Sequence, residues 1–128
     1  MPSTVAELVS RAKAKAENLT PEQVAREAAR GALLVDLREP AELERDGMIH
    51  GAIHAPRGML EFYADPGSPY HRDELDPSRR VILYCASGGR SAMGAATLAE
   101  LGYTDVAHLD GGIKAWQTDG RPVVPPDA

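Results

Sequence analysis

Apolar positions along the chain change their period several times, and each change marks an element. Val5, Leu8, Ala12, Ala16 and Leu19 recur at three- and four-residue spacings, which places them on one face of a helix over residues 3–18. Thr4 followed by Glu7 supplies a capping box for its start. Thr20-Pro21-Glu22-Gln23 opens a second helix, with a capping hydroxyl, proline at the first helical position and glutamine three residues after the cap. That helix is expected to run to Ala29 or Arg30, where Gly31 ends it. Ala32-Leu33-Leu34-Val35-Asp36-Leu37 is instead a nearly continuous apolar run, as in a strand covered on both faces. Residues 39–46 predict a short helix, 51–55 a short strand ended by Pro56, and 58–63 another helix. Pro66, Pro69 and Pro77 with many polar neighbours make residues 65–80 a loop. Val81-Ile82-Leu83-Tyr84 is a second buried strand, leading through Cys85 and two glycines into a small-residue helix over 91–101. Val106-Ala107-His108-Leu109 predicts a further strand, Gly111-Gly112 a tight turn, and the residues around Trp116 a last helix. The proline-rich tail, 122–128, is expected to be extended.

Strands alternating with helices predict an α/β domain with a mainly parallel sheet. In such a sheet the binding crevice lies beyond the carboxyl ends of the strands, and Cys85 sits at one of them. A chain of 128 residues, 43% hydrophobic and 26% charged, suits one soluble domain that needs no disulfide or metal staple. Fourteen Lys and Arg against nineteen Asp and Glu give a charge of −5, which argues against nucleic-acid and membrane-surface partners. An anionic substrate would need a local positive site. The single Cys85 excludes an intramolecular disulfide and any multi-cysteine zinc or iron–sulfur site. The first eighteen residues hold neither an apolar signal core nor a bilayer-spanning run, so a reducing cytoplasm is the default expectation.

The candidate chemistry lies in Cys85-Ala86-Ser87-Gly88-Gly89-Arg90-Ser91. A lone cysteine after an apolar strand is by itself most simply a small buried hydrophobe. Packing, however, has no need of two glycines and a cation beside a thiol. Glycines let the chain curl so that backbone N–H groups point at the sulfur, and the following helix adds its positive end. Both favour a thiolate, an anionic substrate or a persulfide anion.

With this loop the sequence resembles the rhodanese (thiosulfate sulfurtransferase) family, whose single-domain members carry Cys-x-x-Gly-x-Arg-Ser. Asp36-Leu37-Arg38-Glu39-Pro40-Ala41-Glu42 is similar to the family's Asp-x-Arg-x-x-x-Glu segment. Residues 47–56 resemble its Gly-His-Ile-x-Gly-Ala-x-x-x-Pro segment, with Met48 replacing the usual histidine and His50 standing where proline is common. Leu109-Asp110-Gly111-Gly112-Ile113 with Trp116 resembles the closing motif. The resemblance, over about residues 20–120, implies a three-layer sandwich for the domain 20–121; the helical extension 1–19 lies outside it and is expected to serve docking or dimerisation, and the tail 122–128 follows. It implies a ping-pong transfer without metal or organic cofactor. Cys85 takes the outer sulfur of thiosulfate or a related donor as a persulfide, and a thiol, cyanide or a protein accepts it. Ala86, Ser87, Gly88, Gly89, Arg90 and Ser91 would bind the donor, Arg90 giving the nearest positive charge, and Arg57 is a further candidate for the mouth. Asp36 and Arg38 would form a supporting ion-pair network behind the cradle. Mercaptopyruvate, glutathione persulfide and a cysteine-desulfurase partner are further donors, and the oligomeric state is open.

Two other readings remain. One is an idle module of this fold that binds a partner or senses sulfane sulfur. The other is a cysteine phosphatase or arsenate reductase, which would use Cys-x₅-Arg, whereas Arg90 follows Cys85 with four residues between. The remaining singled-out residues have plainer roles. His50 and His54 lie in an extended segment and make no metal pair. Arg11, Lys13 and Lys15 read as a solvated helix face, Trp116 as packing, and Ser91 as a helix cap, with Ser87 beside it in the loop.

Overall fold

Both amino-terminal helices begin as their sequences dictate. The Glu7 amide donates to Thr4 Oγ1 while the Thr4 amide donates to the Glu7 carboxylate, and α1 follows over Val5–Lys15. Thr20 and Gln23 make the same reciprocal pair ahead of α2, Pro21–Ala29. These and the following elements come from a computed structural model that describes residues 1–127.

The first helix departs from expectation at its far end. It stops at Lys15, and the two side-chain N–H bonds of Asn18 close it by donating to the carbonyls of Lys13 and Ala16, each at 3.0 Å. Asn18–Leu19 then forms strand β1. The cause is long-range backbone pairing. The His108 amide donates to the Glu17 carbonyl at 3.0 Å and the Asp110 amide to that of Leu19 at 2.9 Å. Of the positions read as one helical face, Val5 and Leu8 are exposed, whereas Ala12 and Leu19 are buried. The sheet therefore begins inside the stretch 1–19 that reads as helical.

The chain continues through β2 (Leu33–Asp36), α3 (Pro40–Asp46), β3 (Ile53–His54), a 3₁₀ turn (Arg57–Met59) and α4 (Leu60–Ala64). It ends with β4 (Val81–Tyr84), α5 (Gly89–Glu100), β5 (Val106–Leu109) and α6 (Gly112–Thr118). The strands lie in the order β1-β5-β4-β2-β3, and every neighbouring pair is parallel. The period of two sorts each central strand onto two cores. Leu33, Val35, Val81 and Leu83 pack with Leu60 and Leu98 beneath α4 and α5, and α1 lies along α5. Leu34, Ile82 and Tyr84 pack with Val24, Ile113 and Trp116 beneath α2 and α6. Burial on both sides is why β2 and β4 read as unbroken apolar runs. Residues 65–80 hold turns only. The tail is extended over residues 122–125, turns at 126–127, and its last residue lies outside the described residues. Its extended part is pinned: Met48 and Val124 exchange amide hydrogen bonds at 2.8 Å, and Trp116 Nε1–H donates to the Pro122 carbonyl. Among the described residues no helix is long and apolar enough to cross a membrane.

Two features fix the carboxyl edge of the sheet. The first is a buried ion pair. Arg38 Nε and Nη2 donate to the two Asp36 carboxylate oxygens at 3.1 and 2.8 Å, and both side chains are fully enclosed. Arg38 Nη2 also donates to the Gly47 carbonyl, and its guanidinium lies 5.9 Å over the Tyr84 ring. The second is the docking of α6. Ile113 and Lys114 amides donate to the carbonyls of Cys85 and Ala86 at 2.9 and 3.2 Å. Gly112 has φ +63, and a Cβ there would lie 2.5 Å from the Cys85 oxygen and from the Ala86 carbonyl.

Gly112→Ala is accordingly expected to cost about 1–3 kcal/mol and to displace the backbone after Cys85, read as a lower Tm and changed amide shifts in residues 85–88. Asp36→Ala should cost about 3–5 kcal/mol by stranding the Arg38 charge, whereas Asp36→Leu with Arg38→Met should cost less than the single change in urea melts.

Candidate active site

Strand β4 delivers Cys85 to the carboxyl edge of the sheet, where the chain turns back into α5. Gly88 makes the turn with φ +109 as the residue capping α5, a left-handed conformation that glycine adopts without strain. The Cys85 sulfur is buried at the centre of this curl. The Gly88 and Ser91 amides donate to Sγ at 3.2 and 3.4 Å, and Ser91 Oγ lies 3.6 Å away. Two N–H dipoles at the positive end of a twelve-residue helix thus converge on one sulfur, an arrangement that stabilises negative charge there.

The other residues of the loop divide by position. The Ala86 carbonyl is held from behind by Lys114, Ser87 is exposed at the rim, and Gly89 and Arg90 are half-buried. Ser91 does not act as the helix cap, because Gly88 takes that place. Its hydroxyl instead contacts Sγ, the Gly88 carbonyl at 3.3 Å and His108 Nδ1 at 2.9 Å.

Arg90 is not a free cation. Its Nη1 and Nη2 donate to Glu42 Oε1 and Oε2 of α3 at 2.7 and 2.9 Å. This fork holds the Glu42 carboxyl well below the usual range, at about 2, and raises Arg90, with a smaller contribution from the nearby Cys85 sulfur. Asp36 and Arg38 are occupied with each other at the end of β2. Arg57 donates to Glu61 and to Thr97, six residues beyond Ser91 and so about 9 Å further along α5. The structure therefore commits Arg57 away from the loop.

Helix α1 brings to the loop groups that the sequence reading did not place there. Lys13 belongs to the loop rather than to a solvated face: a Cβ on Gly88 would lie 3.6 Å from Lys13 Nζ, and Nζ is 3.8 Å from Asp110. Val9 packs against Gly89. His108, fully buried on β5, bridges Ser91 and Asn18. Its one sequence signal is a polar residue at an inward position of an apolar strand. His54 Nε2 donates to the Arg38 carbonyl and His50 is exposed. Among the described residues no three His, Cys, Asp or Glu side chains are grouped to hold a metal.

Comparison with known proteins bears on the family and the fold. A match to the rhodanese-like domain family spans residues 20–119. A sulfurtransferase of Allochromatium vinosum is 40% identical over 95 residues, 74% of this chain and 80% of that protein. The thiosulfate sulfurtransferase GlpE of Pseudomonas syringae pv. syringae is 28% identical over 102 residues, 80% of this chain and 88% of that one. Among solved structures, a Rhodopseudomonas palustris protein of unknown function, described as a possible tyrosine phosphatase, superposes with a TM-score of 0.88. It is 37% identical, and the alignment covers 97% of this chain and 99% of that one. With an all-parallel five-stranded sheet and a family match over most of its length, this chain belongs to the rhodanese family.

Proposed function

We propose that the chain is a sulfurtransferase that carries sulfur on Cys85 as a persulfide. The observation that supports this best is the convergence of the Gly88 and Ser91 amides on a sulfur at the carboxyl edge of the sheet. The Cys85 thiolate attacks the outer sulfur of thiosulfate, a new S–S bond forms, and the old one breaks with its electron pair leaving on sulfite. The acceptor, cyanide or a thiolate, then attacks the outer sulfur of the persulfide, and Cys85 leaves as thiolate. No electrons enter from outside and no cofactor is required. The loop amides stabilise charge on sulfur at both stages.

The sulfurtransferase relatives favour this reading over an idle module, and so does the retention of the cysteine within its ring of donors. Four residues between Cys85 and Arg90 make a narrower ring than the five of the cysteine phosphatases. That suits one sulfur atom better than a phosphoryl group. Donor selection falls to the cations at the rim, Arg90 and Lys13, each shared with a carboxylate.

Intact-protein mass spectrometry after thiosulfate, then cyanide, is expected to show one sulfur gained on Cys85 and removed again, with Cys85→Ser gaining none. No adduct with thiosulfate, mercaptopyruvate or glutathione persulfide, together with turnover of p-nitrophenyl phosphate or arsenate, would reject sulfur transfer. Arg90→Ala should raise the thiosulfate KM about tenfold with a smaller effect on kcat.

Glu42 gives a pH-dependent check. Its folded-state value lies below the ordinary one, so its contribution to stability is complete above about 4.5 and is lost as the pH falls toward about 2. Glu42→Gln is expected to flatten the Tm profile across that window and, by removing the charge opposed to Arg90, to lower the thiosulfate KM. An unchanged KM would remove the Arg90 charge from donor binding.

A further inference from the structure

His108 is a buried titratable group that the transfer scheme leaves without a role. Its surroundings determine where every proton near it resides. Asn18 commits both side-chain N–H bonds to the carbonyls of Lys13 and Ala16, so its Oδ1 must be the atom 2.6 Å from His108 Nε2. An acceptor there requires the hydrogen on Nε2. Burial favours the neutral ring, which leaves Nδ1 with a lone pair. Ser91 Oγ, 2.9 Å from Nδ1, therefore donates its hydrogen to the imidazole. With that hydrogen in use, Oγ turns a lone pair toward Cys85, and the thiol donates to it across 3.6 Å.

We propose that His108 is the internal proton acceptor for Cys85, acting through the Ser91 hydroxyl, with Asn18 as the residue that fixes its tautomer. The proposal rests on the reading of Cys85 as the sulfur nucleophile. In the step, the S–H bond breaks and leaves its electron pair on sulfur, while a new O–H bond forms on Ser91. The original O–H bond breaks, and an N–H bond forms at Nδ1. One proton has moved from sulfur to nitrogen, and nothing is oxidised or reduced.

Each hydrogen has a partner on both sides of this step. Before it, the S–H donates to Ser91, Ser91 to Nδ1, and Nε2–H to Asn18. After it, the thiolate accepts from the Gly88 amide, the Ser91 amide and the Ser91 hydroxyl, while the imidazolium donates to Ser91 Oγ and to Asn18. Cys85 and His108 are 1% and 0% exposed, so a proton passing between them is largely screened from bulk water. Formed together, the two charges sum to zero, and burying a bonded pair costs far less than burying one charge.

The groups facing His108 from the other elements do not override this exchange. From α1 comes Lys13 and from the turn after β5 comes Asp110, 3.8 Å apart, which push the imidazole in opposite directions. The neighbouring strands present Asn18 of β1 and the apolar Leu83 of β4. Glu17 offers only its carbonyl to the His108 amide, its carboxylate being held by Arg80. His108 is thus a positioning residue, and its partner in titration is Cys85.

Thermodynamic linkage makes the test quantitative. Thiolate absorbance against pH, with Cys85→Ser as the blank, reports Cys85. Imidazole ¹⁵N shifts report His108. His108→Gln is expected to move the thiolate profile up by at least about one pH unit. Cys85→Ser should move the His108 titration down by the same amount, because coupling between two sites is reciprocal. Ser91→Ala should shrink both shifts to the part owed to direct attraction between the two charges, and undiminished shifts there overturn the relay. A folded His108→Gln with an unchanged thiolate profile, or a His108 titration indifferent to Cys85→Ser, overturns the relay. The second measurement serves even where His108→Gln fails to fold. Neither titration uses a sulfur donor, so failure of the relay and failure of sulfur transfer are separately visible.

Discussion

The grip of the first amides of α6 on the carbonyls of Cys85 and Ala86 is the contact on which the loop geometry depends. A loop that turns N–H groups inward toward a sulfur must turn carbonyls outward, and outward carbonyls buried against a sheet need donors. A helix start has amides with no partner in their own helix, and here they are placed against those carbonyls. The approach is so close that only glycine fits at position 112. The two glycines after Asp110 and the two after Ser87 are therefore halves of one device, one making the curl and the other letting α6 reach its back.

Around this device charge is balanced almost residue by residue. Arg38 is met by Asp36, Arg90 by Glu42 and Lys13 by Asp110. The donors aimed at the sulfur are peptide N–H dipoles fixed by the backbone, which do not swing onto a neighbouring carboxylate as mobile side chains do. A chain of net charge −5 in this way aims positive dipoles at one sulfur without assembling a large basic patch.

Much of this was legible in the sequence because it depends on neighbours. The two capping boxes, the doubly covered strands and the Gly-rich turn after Cys85 are local chemistry, and the motifs carrying the family resemblance are short. What was not legible depends on distant partners. Nothing near residue 18 shows that the helix must end for Asn18 to meet a strand far along the chain, and the apolar spacing of Ala16 and Leu19 suggested the opposite. Arg90 looked free because Glu42 is 48 positions away. Lys13 looked like part of a solvated stripe because its neighbours on α1 are basic too. His108 and Ser91 were visible as residues, but their hydrogen bond exists only once β5 lies beside β4. Arg57 was placed by proximity in sequence to Pro56, and its actual partners lie on α4 and α5.

The pairing of Asn18 with His108 also bears on the order in which the molecule comes together. It closes a span of 90 residues, and β1 is a two-residue strand at the sheet's edge. Closing so long a span costs conformational entropy that two residues repay poorly on their own, so β1 is expected to join once the central strands are aligned. Cys85 directly follows the central strand β4, whereas the chain of partners behind it ends at Asn18 on the edge strand. The thiol's surroundings are thus complete only when this two-residue edge of the sheet is in place.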